Sequence, residues 1–281
     1  MTTVYSLQEL LALKFPDRKE LIENGLLLPG TGNIIVGSAK SWKSLLSMHL
    51  GYCLSTGKKW LGFRTSQCAT YRYQLEMTLP DEVGRVKQYM STLESTNGNL
   101  PKNMFFSTER YIKLNTGYGK KEMEKVVEIA VSRSPDKHLV LIIDPIYIAI
   151  AGRISDDYEV QKFLDNINDL RGKYNITVIL VHHTRKIRVD SYGNIIDQGS
   201  EETMGSSYLM NWVDTMMRVR LLDPNTTKQR VELTFPLARH ARKQLPNSIE
   251  LMWDKKRLKP VVVKTDMETE SMEVTGKELS D

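Results

Sequence analysis

The sequence predicts an α/β protein with a mostly parallel sheet, helices on both faces and an antiparallel C-terminal extension. Residues 139–143 (LVLII) and 176–181 (ITVILV) are apolar almost throughout, which is typical of strands buried on both faces. Segments with helical spacing alternate with strand patterns along the chain, and such alternation favours a parallel sheet. After Gly205 the pattern changes to successive short strands, which predicts the antiparallel part.

Each predicted element has a local signal. Ser6 followed by Glu9 is a capping-box pattern and begins the first helix, and Gly57 ends the second. The predicted helices cover residues 6–13, 44–56, 80–93, 121–132 and 159–174. The predicted strands cover residues 34–36, 69–77, 139–143, 176–181, 215–222, 230–237 and 248–253.

The composition indicates one large core and no membrane span. With 281 residues, 41% of them hydrophobic, the chain is long enough for one α/β core with a small appendage. No apolar run reaches the roughly 18 residues that a spanning helix needs, and the N-terminus lacks a secretory signal pattern. The only cysteines are Cys53 and Cys68, so we expect no disulfide framework and a cytoplasmic location.

The charge is unevenly distributed along the chain. A net charge of +5 is mild and does not by itself indicate a nucleic-acid partner. Basic residues concentrate at 239–243 (RHARK) and 254–264 (DKKRLKPVVVK), where a solvated charged face is the ordinary interpretation. Residues 265–281 are acidic, polar and without periodicity, so we expect a mobile tail there.

A phosphate-binding loop is predicted between the strand at 34–36 and the helix that follows it. The loop consists of Gly37, Ser38, Ala39, Lys40, Ser41, Trp42, Lys43 and Ser44. Backbone N–H groups of such a loop and of the helix N-terminus bind phosphate oxygens, Lys43 would reach the β- and γ-phosphates, and Ser44 would hold Mg²⁺. Trp42 departs from the motif, which has glycine before the lysine for reasons of backbone conformation and space. The alternative is a lysine-rich turn that merely begins a helix.

Two carboxylates lie at the ends of predicted strands. Asp144 ends the apolar strand LVLII about 100 residues after the loop, which is a Walker B pattern, and would hold Mg²⁺ through water. Glu76 lies at the end of ATYRYQLEM and could polarise an attacking water. Either residue could instead be an ordinary carboxylate at a strand end.

A histidine pair, His182 and His183, directly follows the strand ITVILV. Polar residues at the exit of a central strand point into the crevice where ligands bind, and histidine can hydrogen-bond a γ-phosphate. The cysteine spacing disfavours a zinc site, and the absence of a Gly-x-Ser-x-Gly elbow disfavours a serine hydrolase.

Six segments follow one another along the chain: GSAKSWKS, GKKWLGF, YQLEM, LVLIIDPIY, VHHTRK and MGSSYLMNWVD. Together, over roughly residues 25–253, they resemble the RepA-type branch of RecA-like ATPases, which includes ring helicases of plasmids and related phage proteins. The resemblance implies a RecA-like core, with ATP and Mg²⁺ bound between the subunits of a ring, such as a hexamer, or of a filament that acts on DNA. It implies that Glu76 is the catalytic carboxylate, Asp144 the Walker B residue and His182–His183 the γ-phosphate sensor.

The chain is expected to have three parts, and the same resemblance implies a residue supplied by a neighbouring subunit. The parts are an N-terminal segment at 1–28 that could be a subunit-contact arm, the ATPase domain at 29–264 and the tail at 265–281. Arg242 lies where the family has its arginine finger, and Arg239 and Lys243 compete for that role. An exposed basic loop without catalytic function is the alternative.

The candidate DNA contact is the polar segment 184–203, which carries Arg185, Lys186 and Arg188 and the aromatic Tyr192. Such a loop could line a pore, bind phosphates of single-stranded DNA and stack a base, or it could be a surface loop that binds nothing. The leading hypothesis is a DNA-dependent ATPase of the replicative helicase type in a bacterial or phage-infected cell. The alternatives are a recombinase or mediator with slow ATPase, and a nucleotide-gated loading scaffold without turnover.

Overall fold

The computed structural model describes residues 4–15, 19–91, 100–108, 110–184, 206–222, 230–254 and 258–267. Within these ranges the strands are β1 Gly32–Gly37, β2 Ala69–Gln74, β3 Met104–Thr108, β4 Leu139–Asp144, β5 Thr177–His183, β6 Thr215–Leu221, β7 Arg230–Ala238, β8 Ser248–Asp254 and β9 Lys259–Asp266. The helices there are α1 Leu7–Ala12, α2 Lys43–Thr56, α3 Leu79–Met90, α4 Gly117–Ser132, α5 Ile146–Ala149, α6 Asp157–Tyr174 and α7 Ser207–Trp212.

All nine described strands form one sheet in the order β3-β2-β4-β5-β1-β6-β7-β8-β9. The first six in this order run parallel, and β7, β8 and β9 are added antiparallel. This confirms the predicted fold class. One detail is corrected, because β6 does not belong to the antiparallel extension but pairs parallel with β1. The short helix α7, which the sequence patterns did not reveal, lies in the connection between the parallel strands β5 and β6.

The edge strands β3 and β9 were also missed, for a physical reason. No residue of β3 is fully buried, and Pro260 is the one buried residue of β9. Edge strands that bury so little lack a clean alternation of apolar and polar residues. Residues 259–264 of the basic run and residues 265–266 of the predicted tail form strand β9, while residues 255–257 and the tail beyond residue 267 lie outside the described residues.

Alternating side chains of the central strands divide the core into two layers. Leu139, Leu141 and Ile143 of β4 face the layer that includes α4 and α6, and Val140 and Ile142 face the layer that includes α2. Both sets are at most 2% exposed. A strand covered on both faces reads as continuously apolar, which is why this segment was recognisable from its sequence.

The N-terminal helix α1 is set apart from this core. Its predicted capping box is confirmed, since Ser6 Oγ accepts from the Glu9 N–H at 3.2 Å and Glu9 Oε2 accepts from the Ser6 N–H at 2.7 Å. None of its residues is buried, and Leu7 and Leu11 are 72% and 76% exposed. In the described part of the chain, no helix has the length and apolar character needed to cross a membrane.

Helix α2 contains a buried histidine that should make stability depend on pH. His49 Nδ1 lies 2.7 Å from Tyr89 Oη, and burial lowers the pKa of His49 to about 3. Between pH 6.5 and 3 the unfolded chain takes up a proton that native His49 does not, so the native state loses stability as pH falls. We expect His49→Gln to remove a slope of about 1.4 kcal/mol per pH unit from the unfolding free energy in this window. Urea unfolding at several pH values checks this, with His240→Gln as a control at a more exposed histidine; equal slopes in His49→Gln and wild type would contradict it.

Candidate nucleotide site

The phosphate loop joins the end of β1 to the start of α2. Gly37 ends the strand where a Cβ atom would lie 2.2 Å from the carbonyl oxygen of Val219, so only glycine fits. Lys40 and Trp42 have left-handed backbones, with φ of 62° and 66°. No side chain caps the start of helix α2, so its first backbone N–H groups have no capping oxygen from the N-cap residue Trp42. This is the arrangement in which backbone N–H groups bind an anion.

Trp42 occupies the left-handed position at which the motif has glycine, and its side chain explains how. The ring stacks on Trp253 of β8, with centroids 5.6 Å apart and planes at 22°. A left-handed non-glycine residue costs about 1–3 kcal/mol, while an aromatic pair contributes about 0.5–1.5 kcal/mol beyond the burial of its surface. Burial and stacking therefore offset the strain, and the stack joins the phosphate loop to the antiparallel extension.

Truncation of Trp253 should reveal how much this stack contributes to stability. Trp253 is 5% exposed, so Trp253→Ala is expected to lower the unfolding free energy by about 3–5 kcal/mol. Met252 precedes it on the opposite face of β8 and is 37% exposed, so Met252→Ala is expected to change stability by about 0.5 kcal/mol or less. Urea denaturation measures both. Similar losses in the two variants would contradict a supporting role for the stack.

Lys43 lies buried inside the loop. Its Nζ donates to the Ser38 carbonyl oxygen at 2.5 Å and to Ser41 Oγ at 3.3 Å. Burial lowers the pKa of Lys43 to about 8, and the carboxylates of Asp144 and Glu76 partly oppose this shift. A buried amine that is held by loop oxygens, with no carboxylate in direct contact among the described residues, would gain from contact with phosphate oxygens.

Asp144 connects the end of β4 to the phosphate loop. Its Oδ1 accepts from Ser44 Oγ at 3.0 Å, and its Oδ2 accepts from Ser47 Oγ at 3.4 Å and from Arg72 Nη2 at 2.7 Å. Hydroxyl and carboxylate oxygens are the ligands that Mg²⁺ prefers, usually alongside water and substrate phosphates. Ser44 and Asp144 therefore fit a magnesium site, and the loop N–H groups and Lys43 fit the phosphates.

Glu76 lies beyond the end of its strand. The predicted strand at 69–77 ends at Gln74, opposite Asp144, because the neighbouring strand β4 also ends there. The exposed Glu76 side chain accepts from Tyr147 Oη at 3.3 Å and lines a cavity of about 370 Å³ together with Tyr147 and Lys113. Burial, followed by the charge of Glu76, raises the pKa of Tyr147 above its ordinary value, which agrees with a hydroxyl that donates to this carboxylate.

The histidine pair ends β5 beside the phosphate loop. His183 is paired with Gly37, and its ring makes a T-shaped contact with the Tyr147 ring, with centroids 5.5 Å apart and planes at 68°. Burial, with the charge of Lys43, lowers the pKa of His183, so the ring is neutral at neutral pH. His182 is buried at 2% exposure. The carboxyl ends of β1, β2, β4 and β5 thus bring Lys43, Asp144, Glu76 and His183 to one edge of the sheet.

Residues 5–189 match the family described as the AAA domain (AAA_25), which is more than half of the chain. The chain belongs to the AAA domain family. Among curated proteins, no relative matches its sequence. The match covers the phosphate loop, both strand-end carboxylates and the histidine pair, and supports a P-loop ATPase domain.

Solved structures show that this AAA domain has a RecA-like fold. A structure described as an ATPase domain has 10% identity and a TM-score of 0.61, over 83% of this chain and 85% of that one. A DnaB-like replicative helicase, solved for its interactions with primase, has the same identity and TM-score over 83% of this chain and 59% of that one. The KaiC-like protein PH0186 from Pyrococcus horikoshii OT3 has 14% identity and a TM-score of 0.53, over 87% and 94%.

The predicted finger, Arg242, lies at the other edge of the sheet of this AAA domain. Strand β7 ends at Ala238, which is paired with Thr215 at the start of β6. Along β6, Thr215 lies about 13 Å from Val219, the residue that is paired with Gly37. The Arg242 side chain is 68% exposed, with Glu20 Oε1 at 3.6 Å. A role for Arg242 in the nucleotide site therefore requires a second copy of the chain.

Of the two competitors, Arg239 donates through Nη2 to the Asn211 carbonyl oxygen at 3.0 Å, so its guanidinium is engaged within its own chain. The backbone of Lys243 is fixed by Asn24, whose Oδ1 accepts from the N–H groups of both Lys243 and Arg242, at 2.6 and 3.1 Å. The adjacent Gly25 has φ of 69°, and a Cβ atom there would lie 1.8 Å from the His240 carbonyl oxygen. This contact fixes the backbone of the basic loop, on which the Arg242 side chain is largely exposed.

The candidate DNA-binding residues Arg185, Lys186 and Arg188, with Tyr192, lie outside the described residues. Two other residues near the site had not been singled out from the sequence. Tyr147 follows Asp144 by three residues, and Arg72 lies in the middle of β2. A charged residue flanked by apolar and aromatic neighbours in a buried strand is a signal that could have identified Arg72.

Proposed function

We propose that this AAA domain binds ATP with Mg²⁺ and hydrolyses it as a DNA-dependent motor of the replicative helicase type. The observation that carries the proposal is the contact of Ser44 Oγ with Asp144 Oδ1 at 3.0 Å. It joins a phosphate loop to a Walker B carboxylate at the sheet edge that also carries Lys43, Glu76 and His183. A carboxylate that ends a strand without a role in catalysis would not need a phosphate loop, a lysine, a second carboxylate and a histidine beside it.

Each group of residues at the site would have a separate role in hydrolysis. The N–H groups of residues 37–44 and the Lys43 ammonium would hold the phosphates, and Ser44 and Asp144 would hold the metal ion. When bound there, Mg²⁺ neutralises the phosphate charge. Glu76 would accept a proton from water as the water oxygen bonds to the γ-phosphorus and the bond from phosphorus to the ADP oxygen breaks. His182 and His183 would transmit the presence of the γ-phosphate to the chain that follows them.

Coupling to DNA is supported by position and by likeness of fold. The basic segment 184–203 directly follows the histidine pair, so a change at the γ-phosphate would reach Arg185, Lys186 and Arg188 within a few residues. One of the solved structures with this fold is named as a DnaB-like replicative helicase. Single-stranded DNA is accordingly the proposed partner.

Assembly into a ring, such as a hexamer, or into a filament is supported by two features of the surface. Arg242 is remote from its own phosphate loop, so only a neighbouring copy can bring it to a nucleotide. Helix α1 carries exposed leucines and contributes no residue to the core, as expected for an arm that contacts a neighbour. The nucleotide would then lie between subunits.

The test is ATP hydrolysis with and without single-stranded DNA, followed by strand displacement on a forked duplex. A helicase is expected to show stimulation by DNA and ATP-dependent displacement. Slow hydrolysis without displacement would favour a recombinase or mediator, and nucleotide binding without hydrolysis would favour a loading scaffold. Electron microscopy with ATP separates rings from filaments.

A further inference from the structure

A buried arginine lies directly behind the Walker B carboxylate. Arg72 is 1% exposed and lies in β2, next to β4 in the sheet. It faces the same side as Thr70, whose hydroxyl donates to the Gly51 carbonyl oxygen of α2, while Tyr71 and Tyr73 face the opposite layer. The guanidinium therefore lies between the sheet and the helix that begins at the phosphate loop.

Each nitrogen of this guanidinium donates to a different element. Nε donates to Glu82 Oε1 of α3 at 2.9 Å, Nη1 donates to Ser47 Oγ of α2 at 2.5 Å, and Nη2 donates to Asp144 Oδ2 of β4 at 2.7 Å. Charge-assisted hydrogen bonds of this length are stronger and more directional than neutral ones. One rigid, planar group thus fixes three elements that border the nucleotide site.

The network gives the two oxygens of Asp144 different environments. Oδ2 is directed at Arg72 and Ser47, while Oδ1 is directed at Ser44, the hydroxyl that would hold the metal ion. A carboxylate without this restraint could rotate and present either oxygen. Restraint of a ligand by a hydrogen-bonded neighbour outside the metal's own coordination shell is a common determinant of metal affinity.

The same guanidinium restrains the segment that carries Glu76. This segment leaves β2 after Gln74 and enters α3 at Leu79, and the ion pair between Arg72 and Glu82 joins its two flanks. Lysine could supply the charge but not three donors in fixed directions. The geometry therefore requires an arginine in particular.

We propose that Arg72 is a positioning residue that orients Asp144 toward the magnesium ion and sets the affinity of the site for the metal–nucleotide complex. The inference rests on the proposed function, since it concerns the same site. Arg72 acts through Asp144 and does not touch the nucleotide. Its loss should weaken the contribution of Mg²⁺ and leave the contacts of the phosphate loop intact.

The test compares nucleotide affinity with Mg²⁺ and with EDTA in wild type and in Arg72→Lys. We expect the affinity in EDTA to be unchanged and the Mg²⁺ concentration for half-maximal nucleotide binding to rise about tenfold or more. Arg171→Lys is the control, because Arg171 is a half-buried arginine that donates to the Gly30 carbonyl oxygen at 2.6 Å, remote from Asp144. This control should match wild type in both conditions.

A second variant separates positioning from folding. Loss of one partner of a buried ion pair can unfold a protein, whereas replacement of both by apolar residues is often tolerated. Replacement of Arg72 and Glu82 together removes that pair, and Asp144 then keeps Ser44 and Ser47 as hydrogen-bond donors. If Arg72→Lys does not fold, Arg72→Met combined with Glu82→Leu is measured instead, after circular dichroism confirms its fold, and the same rise in Mg²⁺ requirement is expected. A folded variant with the wild-type Mg²⁺ dependence would overturn the role of Arg72. Wild type that binds no nucleotide would overturn the proposed function itself, and with it this inference.

Discussion

Replacement of Glu76 by glutamine is expected to reduce ATP hydrolysis by a factor of about 10² to 10⁴ while ATP still binds. Glutamine keeps the size of the side chain and can still accept from Tyr147 Oη, but it cannot take a proton from water. Because Glu76 makes no contact with the phosphate loop in the described structure, the affinity for ATP should change little. Steady-state hydrolysis and equilibrium binding of a fluorescent ATP analogue measure the two quantities separately.

Glu128→Gln is the matched control for this variant. Glu128 is an exposed carboxylate on α4, remote from the phosphate loop, so its neutralisation should leave both hydrolysis and binding as in wild type. If Glu76→Gln hydrolysed ATP at the wild-type rate, another group would have to accept the proton. If it lost ATP binding as well, Glu76 would be part of the binding surface instead.

Replacement of Arg242 by alanine is expected to reduce hydrolysis by about 10³-fold or more. Part of the hydrolysis should return when Arg242→Ala subunits assemble with Glu76→Gln subunits. Each Arg242→Ala subunit keeps its own Glu76, and each Glu76→Gln subunit keeps its own Arg242. Since Arg242 lies across the sheet from its own loop, a mixed assembly contains sites with both groups intact. We therefore expect an equal mixture of the two variants to hydrolyse ATP faster than either alone.

The competing arginine provides the control for this experiment. Arg239→Ala removes a guanidinium that donates to the Asn211 carbonyl oxygen, so it should affect stability more than turnover. If Arg239→Ala lost turnover and Arg242→Ala did not, the role of arginine finger would be assigned to Arg239. A deficient Arg242→Ala that is not rescued in the mixture would contradict action across a subunit interface.

The sequence alone was sufficient for features that depend on neighbours along the chain. The strand before Gly37, the helix after Lys43 and the buried strand that ends in Asp144 are local patterns, and all three are confirmed as elements. The order of strand and helix signals was enough for the parallel sheet. Edge strands β3 and β9 gave weak signals because they bury few side chains, and α7 is only six residues long.

What could not be predicted depends on contacts between distant residues. Trp42 contradicts the phosphate-loop motif when read locally, and its partner Trp253 lies about 210 residues away on a strand of the antiparallel extension. The three acceptors of Arg72 come from α2, α3 and β4, so nothing along the chain indicates that they meet. The roles of the site residues Lys43, Ser44, Glu76, Asp144, His182, His183 and Arg242 and of the basic segment 184–203 all stay predictions, because they require a nucleotide, a metal ion, a neighbour or DNA.

The most direct test of the central claim is ATP binding and hydrolysis in Lys43→Ala beside Lys40→Ala. Both lysines lie in the same loop, but Lys43 is 3% exposed and directed at Ser38 and Ser41, whereas Lys40 is exposed. We expect hydrolysis to fall at least about a hundredfold in Lys43→Ala, together with weaker ATP binding, and to stay near wild type in Lys40→Ala. Unchanged binding and hydrolysis in Lys43→Ala would contradict a phosphate-binding loop at residues 37–44.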